Sequence, residues 1–448
     1  MGSLNGIKKE TIESFDKEFN SNFMSHPLMH ALSKNDIKDV AYVNSGRSAT
    51  EFHFEVNLKT LPVTNQKKSG RCWIFSALNV LREEVAKKCN LEKFELSQNY
   101  VSFWDKFEKI NYFLESMIAL ADRPADDRLV TYLLESGIQD GGQWDMFVNV
   151  VNKYGVIPQS AMHETFQSEN TASMKSLIDT KLRQCAAELR NSIKAGKDEK
   201  GIQYEKNEML LEFYSLLCMC FGEPPKTFDF EYTDKDGKYH ADRNLDPKTF
   251  YDKYVGYDLE NDFVSVIDSP TRDKPYYKKV TIDWLGNVAE GREVSYINLP
   301  IEEIKDLIVK QLKSGMPVWF GSDVSKYGER DLGIWSDEIY DFSGTFGFEF
   351  AMTKEESLVY RESAMNHAMV ITGVNFDADG KPDRWKIENS WSDEHGEKGY
   401  YVMNAGWFDK YVYQAVVKKE FLNDKQKAAL DSEAGHFDPW DPMGTLAD

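Results

Sequence analysis

At 448 residues, with 41% apolar and 29% charged side chains, the chain has the balance of a soluble globular protein and the length for roughly two to four lobes. Its formal charge of −20, from 74 acidic against 54 basic residues, repels phosphate backbones and anionic lipid, which argues against nucleic acid as a partner. No run of 18 apolar residues and no basic leader with an apolar core behind it is present, so neither a membrane span nor an export signal is expected.

The five cysteines are odd in number and lack zinc-like spacing, which fits a reducing, cytoplasmic setting without a metal. Cys89, Cys185, Cys218 and Cys220 lie in helix-like sequence and are expected to be small buried hydrophobes.

Residues 1–60 read as an N-terminal arm, an amphipathic segment (Ile7, Ile12, Phe15, Phe19) leading into the alternating run Phe52-His53-Phe54-Glu55-Val56, read as a strand. From Cys72, the apolar residues Trp73, Ile74, Ala77, Leu78, Leu81 and Val85 recur at helical spacing, so Cys72 opens a helix. Further helical patterns over 96–120 and 143–154 bracket the turn Gln139-Asp140-Gly141-Gly142, giving a helical lobe over 61–160. Residues 161–300, helix-like over 172–221 and β-rich after 226, read as an inserted block. A helix at 301–314 then opens a β-rich, antiparallel lobe over 301–425, with strands at 316–321, 366–376, 383–390 and 399–404. Residues 426–448 read as an extended C-terminal arm. The fold class is α+β.

The candidate chemistry begins at Gln66-Lys67-Lys68-Ser69-Gly70-Arg71-Cys72-Trp73. A thiol at a helix N-terminus loses its proton more readily because the unpaired N–H groups there stabilise an anion, and the neighbouring Lys67, Lys68 and Arg71 are expected to act in the same direction. Attack on a carbonyl also needs donors aimed at the developing oxyanion; the Gln66 side chain and the Cys72 N–H can supply them. A thiolate needs an imidazole partner, and His367, opening the strand His367-Ala368-Met369-Val370-Ile371, is held in direction as a loop histidine is not. Asn389, 22 residues later at a strand end, can accept the ring N–H and set the tautomer, while Trp391 covers that bond from water. Each residue alone fits a structural role: a core cysteine, a satisfied histidine, a strand end, a glycine turn. Their order, Gln, Cys, His, Asn, with each on the element its role requires, points to an active site.

At these residues the chain resembles the papain-like cysteine peptidases: Gln66 to Ser76 is similar to the family's nucleophile signature, and Asn366-His367-Ala368 and Asn389-Ser390-Trp391 to its other two motifs. The resemblance implies a two-lobed fold, a helical lobe facing a barrel-like antiparallel β lobe. It also implies Cys72 as nucleophile, His367 as base and acid, Asn389 as orienter and Gln66 as oxyanion donor, with no cofactor. Two positions depart from the pattern: Ser69 and Gln139 stand where the family carries disulfide cysteines, and losing both together fits a cytosolic member. About 295 residues separate Cys72 from His367, against roughly 130–150 in secreted relatives. That insertion and the ending Trp440-Asp441-Pro442-Met443-Gly444 are similar to the bleomycin hydrolase and aminopeptidase C branch.

This branch implies an aminopeptidase acting on peptides with a free N-terminus, assembled as a homohexamer around an internal cavity. It further implies a C-terminal arm laid in the cleft, with Gly141, Gly142 and Trp391 lining the substrate's path and Ala447 or Asp448 presenting a carboxylate to its α-ammonium. The competing readings are a papain-like endopeptidase or amide hydrolase, a nucleic-acid-binding regulator, and a catalytically silent assembly protein.

Overall fold

The structure, a computed structural model, describes residues 4–447. It is α+β and two-lobed. A twelve-stranded sheet runs in the order Gly435–Phe437, Lys278–Ile282, Ser295–Asn298, Phe263–Ile267, Val412–Lys418, Val318–Ser322, His367–Phe376, Pro382–Glu388, Tyr400–Asn404, Ile334–Trp335, Gly328–Glu329, with Val56–Asn57 added beside His367–Phe376. Most pairings are antiparallel, as expected for the C-terminal half. Three are parallel: Phe263–Ile267 with Ser295–Asn298, Tyr400–Asn404 with Ile334–Trp335, and Gly435–Phe437 with Lys278–Ile282. The strands of the 263–298 segment are hydrogen-bonded into this same sheet.

The sheet separates two cores because successive strand residues face opposite sides. In His367–Phe376, Ala368 and Val370 pack into the core built around the Cys72–Cys89 helix, whereas Met369 and Ile371 pack into the core under the Ile301–Lys313 helix. With both faces covered, the strand reads as one apolar run rather than an alternation.

The Cys72–Cys89 helix buries Leu78, Leu81 and Val85 completely and stops at Asn90, which adopts the left-handed conformation (φ 52°) and returns its N–H to the last turn. Truncating a buried leucine such as Leu81 to alanine is expected to cost about 2–5 kcal/mol. Gln98–Ala119 starts where the Ser97 hydroxyl accepts the Tyr100 N–H, and Trp144–Tyr154, Ala172–Lys194 and Glu199–Phe221 complete the helical side.

The run 52–56 forms a strand only at Val56–Asn57, where it reaches the sheet; Phe52 and Phe54 instead pack edge to face, with centroids 5.1 Å apart. Alternation survives, but the pairing partner does not extend that far. Cys89 and Cys185 are buried as expected, while Cys218 and Cys220 are only half-buried, packed against the outside of the helical-lobe core. Among the described residues no helix is long and apolar enough to cross a membrane.

Candidate active site

Cys72 is the first residue of its helix and is fully buried, and the residue before it, Arg71, makes no side-chain bond to the helix N-terminus. Its Sγ accepts the backbone N–H of Ala368 at 3.4 Å, which sets the sulfur beside the residue that follows His367. The Ser76 hydroxyl, one turn later, donates to the Ala368 carbonyl at 2.8 Å and fixes the helix against the histidine strand. The Trp319 indole adds a bond to the Trp73 carbonyl at 3.2 Å.

His367 Nε2 lies 3.0 Å from Asn389 Oδ1, and that same oxygen accepts the Ser390 N–H at 2.8 Å. An oxygen engaged by a backbone donor is fixed as the acceptor, so Nε2 carries the proton and Nδ1 is the nitrogen left for exchange with a reacting group. The Trp391 ring lies over His367 with centroids 4.8 Å apart. Burial pulls the imidazole from 6.5 down to about 4, with the Asn389 bond opposing the shift.

Gln66 is held at both ends of its amide. Its Nε2 donates to the Ser69 carbonyl at 2.7 Å, and its Oε1 accepts from the Ser390 hydroxyl at 2.6 Å, leaving the second N–H for another acceptor. Its backbone N–H also donates to the Ser390 carbonyl at 2.9 Å, so the glutamine and asparagine segments brace each other. Lys67 makes the intervening turn at φ 56°.

The expected contribution of Arg71 to thiolate stabilisation is corrected. Its guanidinium is buried, pairs with Glu164 at 2.9 Å and donates to the Ser69 hydroxyl, so its charge is already matched. Lys67 and Lys68 are exposed.

Gly141 and Gly142 lie beside this helix head, where the Trp73 indole donates to the Asp140 carbonyl at 2.9 Å. A Cβ on Gly142 would come within 2.5 Å of the Trp73 ring, so only glycine fits. The Gly142 N–H donates to the Ala447 carbonyl at 3.2 Å and Gln143 Nε2 to the Thr445 carbonyl at 2.6 Å, which places residues 445–447 alongside the extended Gly-Gly segment. Ala447 is fully buried, and Asp448 lies outside the described residues.

Reasoning from sequence missed the supports behind these residues. Ser390 and Ser76 carry no signal beyond their motif neighbours. Asp105, Lys106, Glu108 and Lys109, four charges on one stretch of the Gln98–Ala119 helix otherwise rich in apolar residues, were the available sign of a buried polar cluster. Lys106 and Thr171 both donate to the Asp140 carboxylate; burial alone would push that carboxyl up, but the Lys106 ammonium holds it well below the usual range. A second buried pair, Arg82 with Glu388 at 2.9 Å, ties the Cys72 helix to the residue preceding Asn389.

The Peptidase C1-like family model matches residues 6–444. Aminopeptidase C of Lactobacillus delbrueckii subsp. lactis is 46% identical over 97% of this chain and 98% of its own. Human bleomycin hydrolase is 38% identical over the full length of both chains. A crystal structure of pepw from Lactobacillus rhamnosis HN001, 45% identical, superposes with a TM-score of 0.96 over 99% of each chain. Matched in sequence and in fold along nearly its whole length, the chain belongs to the Peptidase C1-like family, the papain-like cysteine peptidases.

Proposed function

We propose that the chain is a cysteine aminopeptidase that removes N-terminal residues from peptides, with Cys72, His367, Asn389 and Gln66 as its machinery. The thiolate of Cys72 adds to the scissile carbonyl carbon, and the oxyanion is received by the Cys72 N–H and the second N–H of Gln66. His367 Nδ1 gives its proton to the departing amine, leaving a thioester on Cys72. The neutral imidazole then takes a proton from water, hydroxide adds to the thioester, and collapse releases the N-terminal amino acid and restores the thiolate. Asn389 keeps Nε2 protonated throughout, so that Nδ1 is always the exchanging nitrogen.

The observation that carries the exopeptidase reading is the bond from the Gly142 N–H to the Ala447 carbonyl. An extended peptide substrate would pair its own backbone with such a segment; residues 445–447 pair with it instead, which would shorten the cleft. Gly141, Gly142, Trp391 and Ala447 then border the site for one N-terminal residue, with a carboxylate beyond Ala447, on Asp448 or on a trimmed end, pairing with the α-ammonium. The relatives named aminopeptidase C support the same reading.

The test is hydrolysis of an aminoacyl fluorogenic amide by the wild type and Cys72→Ser, beside the same compound with its amine acylated. Cleavage of the free-amine compound alone, abolished in Cys72→Ser, is expected; equal cleavage of both compounds would favour an endopeptidase.

A cytoplasmic homohexamer completes the proposal. Cys89, Cys185, Cys218 and Cys220 are not in disulfides, in keeping with a reducing compartment. The Lys9–Ser21 helix exposes Ile12, Phe15 and Phe19, apolar surface of the kind a neighbouring subunit covers. Light scattering coupled to gel filtration would give about six times the 51.6 kDa chain mass, and a monomer mass would reject the assembly.

A further inference from the structure

The peptide joining Gly141 to Gly142 has two faces, because the carbonyl and N–H of a trans peptide point in opposite directions. Its N–H points toward Ala447. Its carbonyl points inward and accepts Lys109 Nζ at 2.7 Å. The same ammonium donates to the Gln139 carbonyl at 3.0 Å and to the Asp105 carboxylate at 2.8 Å, so its three protons are all engaged. With the Trp73 indole on the Asp140 carbonyl, three consecutive carbonyls, those of 139, 140 and 141, are each held by a side chain.

This clamp stands where the family signature expects a disulfide. Ser69 does not reach Gln139; its hydroxyl donates to the Gln66 carbonyl and accepts from Arg71. The segment 139–142 is therefore fixed by Lys109 from behind rather than by a covalent bridge. Asp105 is itself held by Asn287 at 2.9 Å, so the anchor is rigid. An ammonium on the carbonyl end also polarises the peptide and makes the N–H on its other end a stronger donor.

We propose that Lys109 is a positioning residue for substrate selection: by holding the Gly141 carbonyl it aims the Gly142 N–H into the cleft and so sets the register of the 445–447 segment that limits the site to one residue. Lys109 touches no reacting atom. This role rests on the aminopeptidase reading above.

The experiment compares wild type with Lys109→Met and with Asp105→Asn/Lys109→Met, the latter removing the lysine together with its charge partner so that neither is buried alone. Hydrogen exchange at residues 139–144, followed by mass spectrometry, reads the segment without reference to catalysis. It is expected to speed up about tenfold, the loss of one charge-assisted bond. For the free-amine aminoacyl amide, KM is expected to rise about tenfold with kcat within about twofold, while cleavage of the N-acylated counterpart increases. The rate at which iodoacetamide alkylates Cys72 should not change.

Unchanged exchange at 139–144 would overturn the proposal. So would kcat and alkylation falling together with KM, or failure of both variants to fold, since each makes Lys109 a general support of the lobe. If the wild type hydrolyses no free-amine substrate, the aminopeptidase reading fails, and the exchange measurement alone still decides whether Lys109 holds the segment.

Discussion

Replacing Cys72 with alanine is expected to discharge His367. Burial lowers the ring from 6.5 to about 4, and the Asn389 bond restores only part of that loss. Holding the ring charged at pH 7 therefore costs about 4 kcal/mol, three pH units at 1.36 kcal/mol each. Two unit charges in contact, roughly 4 Å apart at an effective dielectric near 20, attract by about 4 kcal/mol, so a Cys72 thiolate against the ring would let the two groups be charged together and neither readily alone. In the wild type the imidazolium should persist beyond pH 7, whereas in Cys72→Ala the ring should be neutral above about pH 5. The assay is ring 15N chemical shift in histidine-labelled protein from pH 3.5 to 9, with His367→Gln identifying the resonance among the eight histidines. The sign for stability follows: the unfolded ring binds protons more tightly, so Cys72→Ala should lose stability as pH falls from about 6.5 toward 4. A ring that titrates near 6.5 in Cys72→Ala, or one already neutral at pH 6 in the wild type, would refute the reasoning.

Gln66→Ala should lower kcat by about 10²–10³ with KM little changed, because it removes one oxyanion donor; a loss under threefold in steady-state kinetics would count against that role. Arg82→Met leaves Glu388 charged and buried without its partner, and urea titration should show about 3–5 kcal/mol lost, largely regained in Arg82→Met/Glu388→Gln. Glu83 is raised from 4.5 to about 7, mainly by burial and further by Glu388, against the bond from the Leu61 N–H. Its protonated form is favoured on folding, so that contribution is full below about pH 4.5 and lost as pH rises through about 7. Glu83→Gln should therefore gain about 2–3 kcal/mol relative to wild type between pH 5 and pH 8, and a constant difference across that range would contradict the shift.

How much of the site could be read in the sequence depends on the range of the interaction involved. The helix opening at Cys72 was legible because Leu78, Leu81 and Val85 repeat at its period, and helical repetition is a property of neighbours along the chain. The strand of His367 was legible as an unbroken apolar run, which is what burial on both faces produces. The strand expected at 52–56 shortened to Val56–Asn57 because a strand needs a partner as well as a pattern.

Charge was the least legible property. Arg71 beside Cys72 reads as a free cation in the chain, yet Glu164, 93 positions away, neutralises it. Lys109 reads as a surface charge until the fold buries it among the carbonyls of 139 and 141.

The order of Gln66, Cys72, His367 and Asn389, and the helix or strand beneath each, was written in the sequence, because residue type and local periodicity suffice to specify them. Which nitrogen of His367 faces Asn389, which segment pairs with residues 445–447 and which side chains hold the carbonyls of 139–141 were decided only on folding. Hydrogen-bond direction and burial arise between segments distant along the chain, and no local pattern encodes them.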